Sequence, residues 1–373
     1  MLIINAKAYL DGAFVDSMRI RIDGGKVQAV SADLQPLSGE TVLDLGGDYL
    51  LPGFVDVHIH GYKAHDTMEG EASIRAMCRD LYEQGVAAFL PTTMSASPKE
   101  TLRAVEGARA VMASPEARGA KVLGMHMEAP FLNQEKAGAQ RKRYFCDPSM
   151  ERMLTLTGGS LAGIRMITLA PERKGAEAFT RSMKDAGVVV SLGHTAASAE
   201  LTHQAADWGA SQVTHTFNAQ TPLGHRSPGV PGAALMDDRY YCQFIADGVH
   251  LHTDTVRLLT HAKGPEKAVA ITDAMEAAGV PEGRYALGGY RVEVKNGEAR
   301  LMNGTLAGSV LTLRKALENL IHRFGIAPED AVRMCTQTPA ESIGESLAGR
   351  ITPGAPLPLT RWSEGWEMKG IIE

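Results

Sequence analysis

The residues best suited to chemistry in this chain are histidines and carboxylates that end short apolar runs. His58 and His60 are separated by a single residue at the end of the run GFVDVHIH. Side chains two residues apart on a strand point to the same side, so both imidazoles can face one cavity. Such a pair is typical of metal ligands, but two histidines that only form hydrogen bonds at a strand end would give the same pattern.

Four other residues favour the metal interpretation. Further apolar runs of the same kind end in an imidazole or a carboxylate, namely Glu128, His194, His215 and Asp273. Neutral imidazole and carboxylate together are ligands for Zn²⁺, Fe²⁺ or a similar divalent ion. No cysteine lies near these positions. We therefore expect an open, catalytic metal site rather than a closed structural one.

Eight apolar runs supply the strands that would position these residues. They span residues 53–60, 86–93, 121–128, 163–170, 188–195, 211–218, 241–248 and 268–274. Stretches with helical spacing lie between them, for example at 71–85, 98–112 and 198–210. This α/β pattern predicts a (β/α)₈ TIM-type barrel, in which catalytic residues gather at the carboxyl ends of the strands. An open doubly wound sheet is disfavoured, because no glycine-rich dinucleotide loop follows an early strand.

The two ends of the chain have a different pattern. Residues 1–50 alternate between apolar and polar with glycine-containing turns, which predicts short antiparallel strands, and residues 346–373 return to this alternation. We expect both segments to form one small β domain, and residues 51–345 to form the catalytic barrel. Within the barrel, Asn296 and Gly297 between two alternating runs predict a β-hairpin insertion near 284–303, at the barrel mouth.

Composition excludes several classes of protein. The 373 residues include 44% hydrophobic and 22% charged residues and carry a net charge of −5, which argues against a broad nucleic-acid-binding surface. Four scattered cysteines do not form a disulfide framework. The amino terminus lacks a signal-peptide pattern, and no apolar run approaches the ~20 residues that span a bilayer. We expect a cytoplasmic protein without nucleic-acid or membrane partners.

Seven strings along the barrel resemble those of the N-acetylglucosamine-6-phosphate deacetylases of the amidohydrolase superfamily. In order, they are LPGFVDVHIHG, HMEAPFLN, SLGHTAAS, THTFNAQTPLGHRSPG, IADGVH, ITDA and NGTLAGS. Hydantoinases and dihydroorotases usually hold two metals through a carboxylated lysine after the fourth strand, where GIRMITLAPE has no lysine. The resemblance implies a barrel with a β-sandwich built from both termini. It also implies hydrolysis of a linear amide, the acetamide of N-acetylglucosamine 6-phosphate, to acetate and glucosamine 6-phosphate in amino-sugar catabolism.

The resemblance assigns roles to the chemical residues. Glu128, His194 and His215 would hold the main catalytic metal, and His58 and His60 would complete a second position. Asp273 would take the proton of the attacking water and deliver it to the departing amine. The implied cofactor is a divalent ion, zinc or iron, with one or two ions per chain.

Substrate contacts are implied in the same way. Phosphate would meet His250, the backbone of Asn218 and Ala219, and Arg226, which in the similar proteins approaches the neighbour's site across a dimer interface. A homodimer that binds an amino-sugar phosphate is therefore expected. The remaining contacts, with the sugar ring and the acetyl group, are implied for Asp247, Gly248, Val249, Leu306, Ala307, Gly308, Ala139 and Gln140.

The chain also departs from its relatives. Ala129 follows the metal-binding glutamate where relatives commonly have glycine, and Gln140 stands where some members have a histidine that polarises the acetyl carbonyl. The segment QRKRYFCDPS is less typical and bears on substrate choice. Two alternatives stay open: a deacetylase of N-acetylgalactosamine 6-phosphate or another N-acyl compound, and a non-catalytic barrel that binds an amino-sugar phosphate.

Overall fold

The structure is a computed structural model that describes residues 1–373. In chain order the strands are β1 (Leu2–Leu10), β2 (Ala13–Asp23), β3 (Lys26–Ser31), β4 (Val42–Asp44), β5 (Tyr49–Pro52), β6 (Phe54–Ile59), β7 (Gly61–Tyr62), β8 (His65–Asp66), β9 (Val86–Thr93), β10 (Lys121–Val122), β11 (Met125–Met127), β12 (Ile164–Leu169), β13 (Val189–Leu192), β14 (Gln212–Val213), β15 (Tyr241–Ile245), β16 (Ala268–Ile271), β17 (Gly283–Leu287), β18 (Tyr290–Lys295), β19 (Glu298–Leu301), β20 (Leu359–Trp362) and β21 (Met368–Ile372).

The α-helices lie mainly between the strands of the central sheet. They are α1 (Glu71–Tyr82), α2 (Pro98–Ala113), α3 (Met150–Leu156), α4 (Ala176–Asp185), α5 (Ala199–Trp208), α6 (Gly229–Met236), α7 (Thr253–Lys263), α8 (Leu313–His322), α9 (Pro328–Cys335) and α10 (Gln337–Ser342). The predicted helices at 71–85, 98–112 and 198–210 correspond to α1, α2 and α5. Their limits follow from local chemistry: Ser97 and Glu100 form a capping box at the start of α2, and Gly209 ends α5 at a φ of 115°.

Eight parallel strands form the predicted barrel. They pair in the order β6, β9, β11, β12, β13, β14, β15 and β16, with the short β10 also paired to β9. The ring closes between β16 and β6 through a bridge from Ile59 to Ala274 and through the Asp273 N–H, which donates to the His58 carbonyl at 2.9 Å. Every residue of β6 and β9 is buried, as expected for strands covered on both faces.

The first and last strands share one sheet. Its order is β21, β20, β5, β1, β2 and β3, with β4 paired to β1. The expectation of antiparallel strands throughout residues 1–50 is wrong for two of them, because β4 and β5 both pair with β1 in parallel. The segment between β3 and β4 carries the chain back to the end of the sheet at which β1 begins, so β4 and β5 run in the same direction as β1. The division into 1–50 plus 346–373 and 51–345 stays a prediction.

The insertion after the eighth barrel strand lies where it was predicted but has three strands rather than the two of a hairpin. It is a three-stranded antiparallel sheet of β17, β18 and β19, which we call the inserted sheet. The turn at Asn296 and Gly297 joins β18 to β19, as expected. A second turn at Gly288 and Gly289, with φ values of 55° and 77°, separates β17 from β18, which the hairpin prediction joined in one strand.

No helix combines the length and apolar character needed to cross a membrane.

Candidate active site

The predicted metal ligands meet at the carboxyl ends of the barrel strands. His58 and His60 lie at the end of β6, and Glu128 directly follows β11. His194, His215 and Asp273 lie just after β13, β14 and β16, and their φ values of 48°, 29° and 49° are in the left-handed region that residues other than glycine seldom adopt. These sharp turns aim the side chains inward. All six residues are at most 8% exposed.

Two groups of ligand atoms result. In the first, Glu128 Oε1 lies 3.1 Å from His194 Nε2 and 3.1 Å from His215 Nε2, and the two imidazole nitrogens are 3.2 Å apart. In the second, His58 Nε2 and His60 Nε2 are 3.4 Å apart and lie 3.4 and 3.2 Å from Asp273 Oδ1.

The Glu128 carboxylate lies between the two groups. Its Oε1 is 3.5 Å from His58 Nε2, and its Oε2 is 3.3 Å from His60 Nε2. One carboxylate therefore faces both sets of imidazoles, which is the arrangement needed for two neighbouring cation positions.

Oxygen acceptors fix the tautomer of all four imidazoles. His194 Nδ1 lies 2.7 Å from the Lys136 carbonyl oxygen, and the Nδ1 atoms of the other three lie 3.2 Å from carbonyl or amide oxygens of Asn218, Thr92 and Gln243. Each of these oxygens accepts only, so Nδ1 carries a hydrogen, and in the neutral ring Nε2 is the nitrogen whose lone pair can bind a cation.

The donor set fits a divalent ion. Four Nε2 lone pairs and two carboxylates meet at distances where they repel one another unless a cation lies among them. Ligands about 2.0–2.1 Å from a tetrahedral ion are roughly 3.3 Å apart, which matches the observed spacings. No cysteine takes part in either group. The two groups of ligands indicate a divalent metal.

The two carboxylates are held in the ionised form that binds cations. Burial acts to raise the pKa of Glu128, but the positive charge of His58 and hydrogen bonds from His194 and His215, which protonated rings supply when no cation is bound, hold this pKa well below the ordinary value. Burial opposes ionisation of Asp273 as well, and the facing His58 and His60 lower its pKa.

A cavity of about 470 Å³ opens above these ligands. Seven of the predicted substrate contacts line it: Ala139, Gln140, Asn218, Ala219, His250, Leu306 and Gly308. Five do not. Asp247 lies behind His250, with Oδ2 2.6 Å from His250 Nδ1, and Gly248 and Val249 belong to the same turn. Ala307 is fully buried, and Arg226 is exposed outside the cavity.

Gln140 is fixed against the metal ligands. Its Nε2 donates to Glu128 Oε2 at 2.6 Å, and its Oε1 accepts from the Ser95 N–H at 2.6 Å. The side chain is 3% exposed. Gln140 therefore orients Glu128. The resemblance aligned this position with a histidine that polarises the acetyl carbonyl in some relatives. Ala129 has no positive φ, so its methyl group is accommodated without backbone strain.

Sequence reasoning missed several residues of the cavity wall. Arg300 lies on β19, where its Nε is 2.7 Å from Glu298 Oε2, and Lys136 supplies the carbonyl that fixes His194. Neither was found from the sequence: Arg300 lies within the predicted hairpin but nothing in the pattern aims it at the cavity, and Lys136 lies in a loop whose course the apolar pattern does not predict. Thr305 also lines the wall, and it belongs to the string NGTLAGS.

Comparison with known proteins agrees with the barrel fold. The chain belongs to the amidohydrolase family, whose sequence model matches residues 49–364. Within that family, it is 36% identical over 340 residues to the N-acetylglucosamine-6-phosphate deacetylase of Lysinibacillus sphaericus, covering 91% of this chain and 87% of the relative. This similarity confirms the resemblance that the seven strings indicate.

Two further relatives are informative. The N-acetylgalactosamine-6-phosphate deacetylase of Escherichia coli O157:H7 is 33% identical over 360 residues, which cover 96% of this chain and 94% of the relative. The crystal structure of N-acetylglucosamine-6-phosphate deacetylase from Pasteurella multocida superposes with a TM-score of 0.92 at 29% identity, covering 100% of this chain and 97% of the other.

The ligand geometry predicts the metal content. Protein purified without added metal contains at least one divalent ion per chain by elemental analysis. The double variant Glu128→Gln, His194→Asn loses most of this metal, because two ligands of the first group are removed. His203→Asn is the matched control, since His203 is exposed and pairs only with Asp237. Equal metal content in the double variant and the control would place the ion elsewhere.

Proposed function

We propose that this protein is a metal-dependent hydrolase that converts N-acetylglucosamine 6-phosphate to glucosamine 6-phosphate and acetate. The observation that carries this proposal is the convergence of Glu128, His194 and His215 with Asp273 beneath one open cavity. The relatives named for this deacetylation support the choice of substrate.

We propose that Asp273 moves the proton in this reaction. A divalent ion held by the ligands supplies Lewis acidity, which makes water more acidic and an amide carbonyl more electrophilic. Asp273 Oδ1 accepts the proton of the attacking water and then donates it to the amine nitrogen as the C–N bond breaks. The backbone holds this carboxylate in place: the Asp273 N–H donates to the His58 carbonyl, and the Asp273 carbonyl accepts from the Ser309 N–H at 2.8 Å.

The proposed cofactor is zinc or iron, with one or two ions per chain. Four imidazoles and two carboxylates suit either metal. The first position is formed by Glu128, His194 and His215, and the second by His58, His60 and Asp273. Glu128 would hold the first ion together with His194 and His215, and its carboxylate also faces the second group.

We propose that His250 binds the substrate phosphate, together with the backbone of Asn218 and Ala219. Burial acts to lower the pKa of His250, but the hydrogen bond to Asp247 outweighs it and raises this pKa above its ordinary value. The imidazolium thus persists to higher pH, where the phosphate is a dianion. The sugar would rest against Leu306 and Gly308, which line the cavity, while Asp247, Gly248 and Val249 would act through the turn that positions His250.

The protonation of His250 predicts a pH dependence of KM. A raised pKa means that the cation is present below it and is lost as pH rises through it, so KM for the phosphorylated substrate should increase with pH. Asp247→Asn removes the stabilising carboxylate, so the increase should begin at lower pH. At pH values between the His250 pKa of the variant and that of wild type, KM of the variant should be up to about tenfold above that of wild type. Steady-state kinetics across pH measure this. Asp254→Asn, an exposed control, should follow wild type, and an unchanged Asp247→Asn profile would contradict the role of the pair.

The same chemistry on the galacto epimer is the second candidate. It is favoured by the similarity to the Escherichia coli N-acetylgalactosamine-6-phosphate deacetylase. The two sugars differ in the orientation of one hydroxyl group, which a single hydrogen bond in the cavity wall can distinguish. We propose the gluco epimer as the preferred substrate.

A cytoplasmic location is proposed as well, supported by four cysteines that form no disulfide.

Acetate release tests the proposed reaction. Wild type should hydrolyse N-acetylglucosamine 6-phosphate faster than the galacto epimer and much faster than N-acetylglucosamine. Asp273→Asn should lower kcat by about 10²–10⁴-fold with little change in KM, because it removes the proton-transfer group. Asp185→Asn, on an exposed part of α4, is the control. A non-catalytic sugar-phosphate-binding barrel would release no acetate from wild type, and equal rates with unphosphorylated substrate would contradict the phosphate site.

We propose a homodimer in which Arg226 contributes to the neighbouring site. Arg226 is exposed in the single chain and outside its own cavity, so it is free to contact a partner subunit. Its planar guanidinium is suited to a phosphate group.

Subunit mixing tests this arrangement. Arg226→Gln and Asp273→Asn homodimers should both have low activity. Co-expression should restore about a quarter of wild-type activity, since half of randomly formed dimers are mixed and each mixed dimer has one complete site. Activity no greater than the average of the two variants would show that Arg226 does not act across an interface.

A further inference from the structure

A second cavity adjoins the one described above. Its volume is about 670 Å³, and it shares Gly138 and Gln140 with the wall of the catalytic cavity. It lies between the single helical turn Lys142–Tyr144 and the inserted sheet. The less typical segment QRKRYFCDPS therefore forms one side of it, and this segment has no role in the proposed deacetylation.

The charge of this cavity is unbalanced. Four cationic side chains line it: Arg141, Lys142, Arg143 and Arg291. No Asp or Glu lines it, and none of the four cations lies within 4.0 Å of a carboxylate. Arg300, which lines the neighbouring cavity, is instead paired with Glu298. Cations of one sign on a concave wall reinforce each other's field and attract anions. We call this cavity the basic cleft.

Two of the three guanidinium groups are held in place. Arg141 lies 5.5 Å from the centre of the Tyr290 ring, and Arg143 lies 4.7 Å from the centre of the Tyr144 ring and donates to its hydroxyl at 2.8 Å. Gly289 makes room for Arg141, because a Cβ at this position would lie 1.5 Å from Arg141 Nη2. Donors that are already ordered lose less conformational entropy when they bind an anion.

The wall of the basic cleft is also partly apolar. Leu301 and Met302 line it beside Tyr290, and Met302 is 74% exposed. The volume falls in the range of about 300–1,000 Å³ that encloses small organic ligands, and a single phosphate ion would leave most of it empty. Cations together with apolar side chains suit an organic molecule that carries phosphate groups.

We propose that the basic cleft is a binding site for an organic oligophosphate of the size of a nucleoside diphosphate. Two phosphate groups carry about three to four negative charges near pH 7, which matches the four cations. Tyr290 and Met302 contact the organic part. This inference does not depend on the proposed deacetylation, since none of the four cations takes part in it.

Isothermal titration with ADP at fixed ionic strength tests the proposal, using the metal-containing protein in the presence of saturating glucosamine 6-phosphate. The test variant is the triple change Lys142→Gln, Arg143→Gln, Arg291→Gln, which leaves the packed Arg141 in place. The matched control is Arg284→Gln, Lys295→Gln, which removes two exposed cations of the same sheet that do not line the cleft. Thermal unfolding confirms that both variants are folded.

The proposal predicts saturable ADP binding to wild type. The triple variant should bind at least about tenfold more weakly, while the control changes less than about twofold, because charge-assisted hydrogen bonds are lost only in the former. AMP should bind at least about fivefold more weakly than ADP, since one phosphate group engages fewer cations.

Four results would overturn the proposal. The first is the absence of saturable ADP binding to wild type. The second is equal weakening in the triple variant and the control. The third is equal affinity for AMP and ADP, which would indicate a monophosphate site. The fourth is loss of ADP binding in His250→Asn with no loss in the triple variant, which would place ADP in the catalytic cavity.

Discussion

The site depends on one set of hydrogen bonds, those that hold the Nδ1 hydrogens of four buried imidazoles on oxygen acceptors. Each acceptor is an oxygen, namely the carbonyl oxygens of Lys136, Asn218 and Thr92 and Gln243 Oε1, so each neutral imidazole directs its Nε2 lone pair toward the carboxylates of Glu128 and Asp273. In this neutral form, the four lone pairs and two ionised carboxylates of the two adjacent groups repel each other without a cation. The barrel thus maintains an arrangement that a divalent ion stabilises, and the proposed chemistry follows from that ion and Asp273.

Barrel closure links this arrangement to the rest of the fold. The hydrogen bond from the Asp273 N–H to the His58 carbonyl joins the last barrel strand to the first, so the contact that closes the ring also sets the distance between two ligands of the second group. Gln140 adds a similar link from a loop, since its amide ties Glu128 to the backbone of Ser95. A change at either contact would alter the spacing of the ligands without touching substrate.

Sequence periodicity predicted the barrel and its eight strands because the strands are short, largely buried apolar runs, and because an imidazole or carboxylate at the end of five of them stands out against the run. The limits of prediction have physical causes. The parallel pairing of β4 and β5 with β1 depends on the course of the intervening loop, and Gly288 and Gly289 form a turn within a run that alternates on both sides. Likewise, the Gln140 contact with Glu128 arises from a loop, and Arg300 reaches the cavity only because the inserted sheet packs beside it in the folded chain.

We infer that His194 and His215 bind a metal through Nε2 while their Nδ1 atoms donate to backbone carbonyls. A crystal structure with anomalous diffraction data collected at the absorption edge of the bound metal tests this inference. An anomalous peak is expected about 2.0–2.2 Å from Nε2 of both histidines and from Glu128 Oε1. A peak bonded to Nδ1 of either ring, or one remote from Glu128, would contradict it.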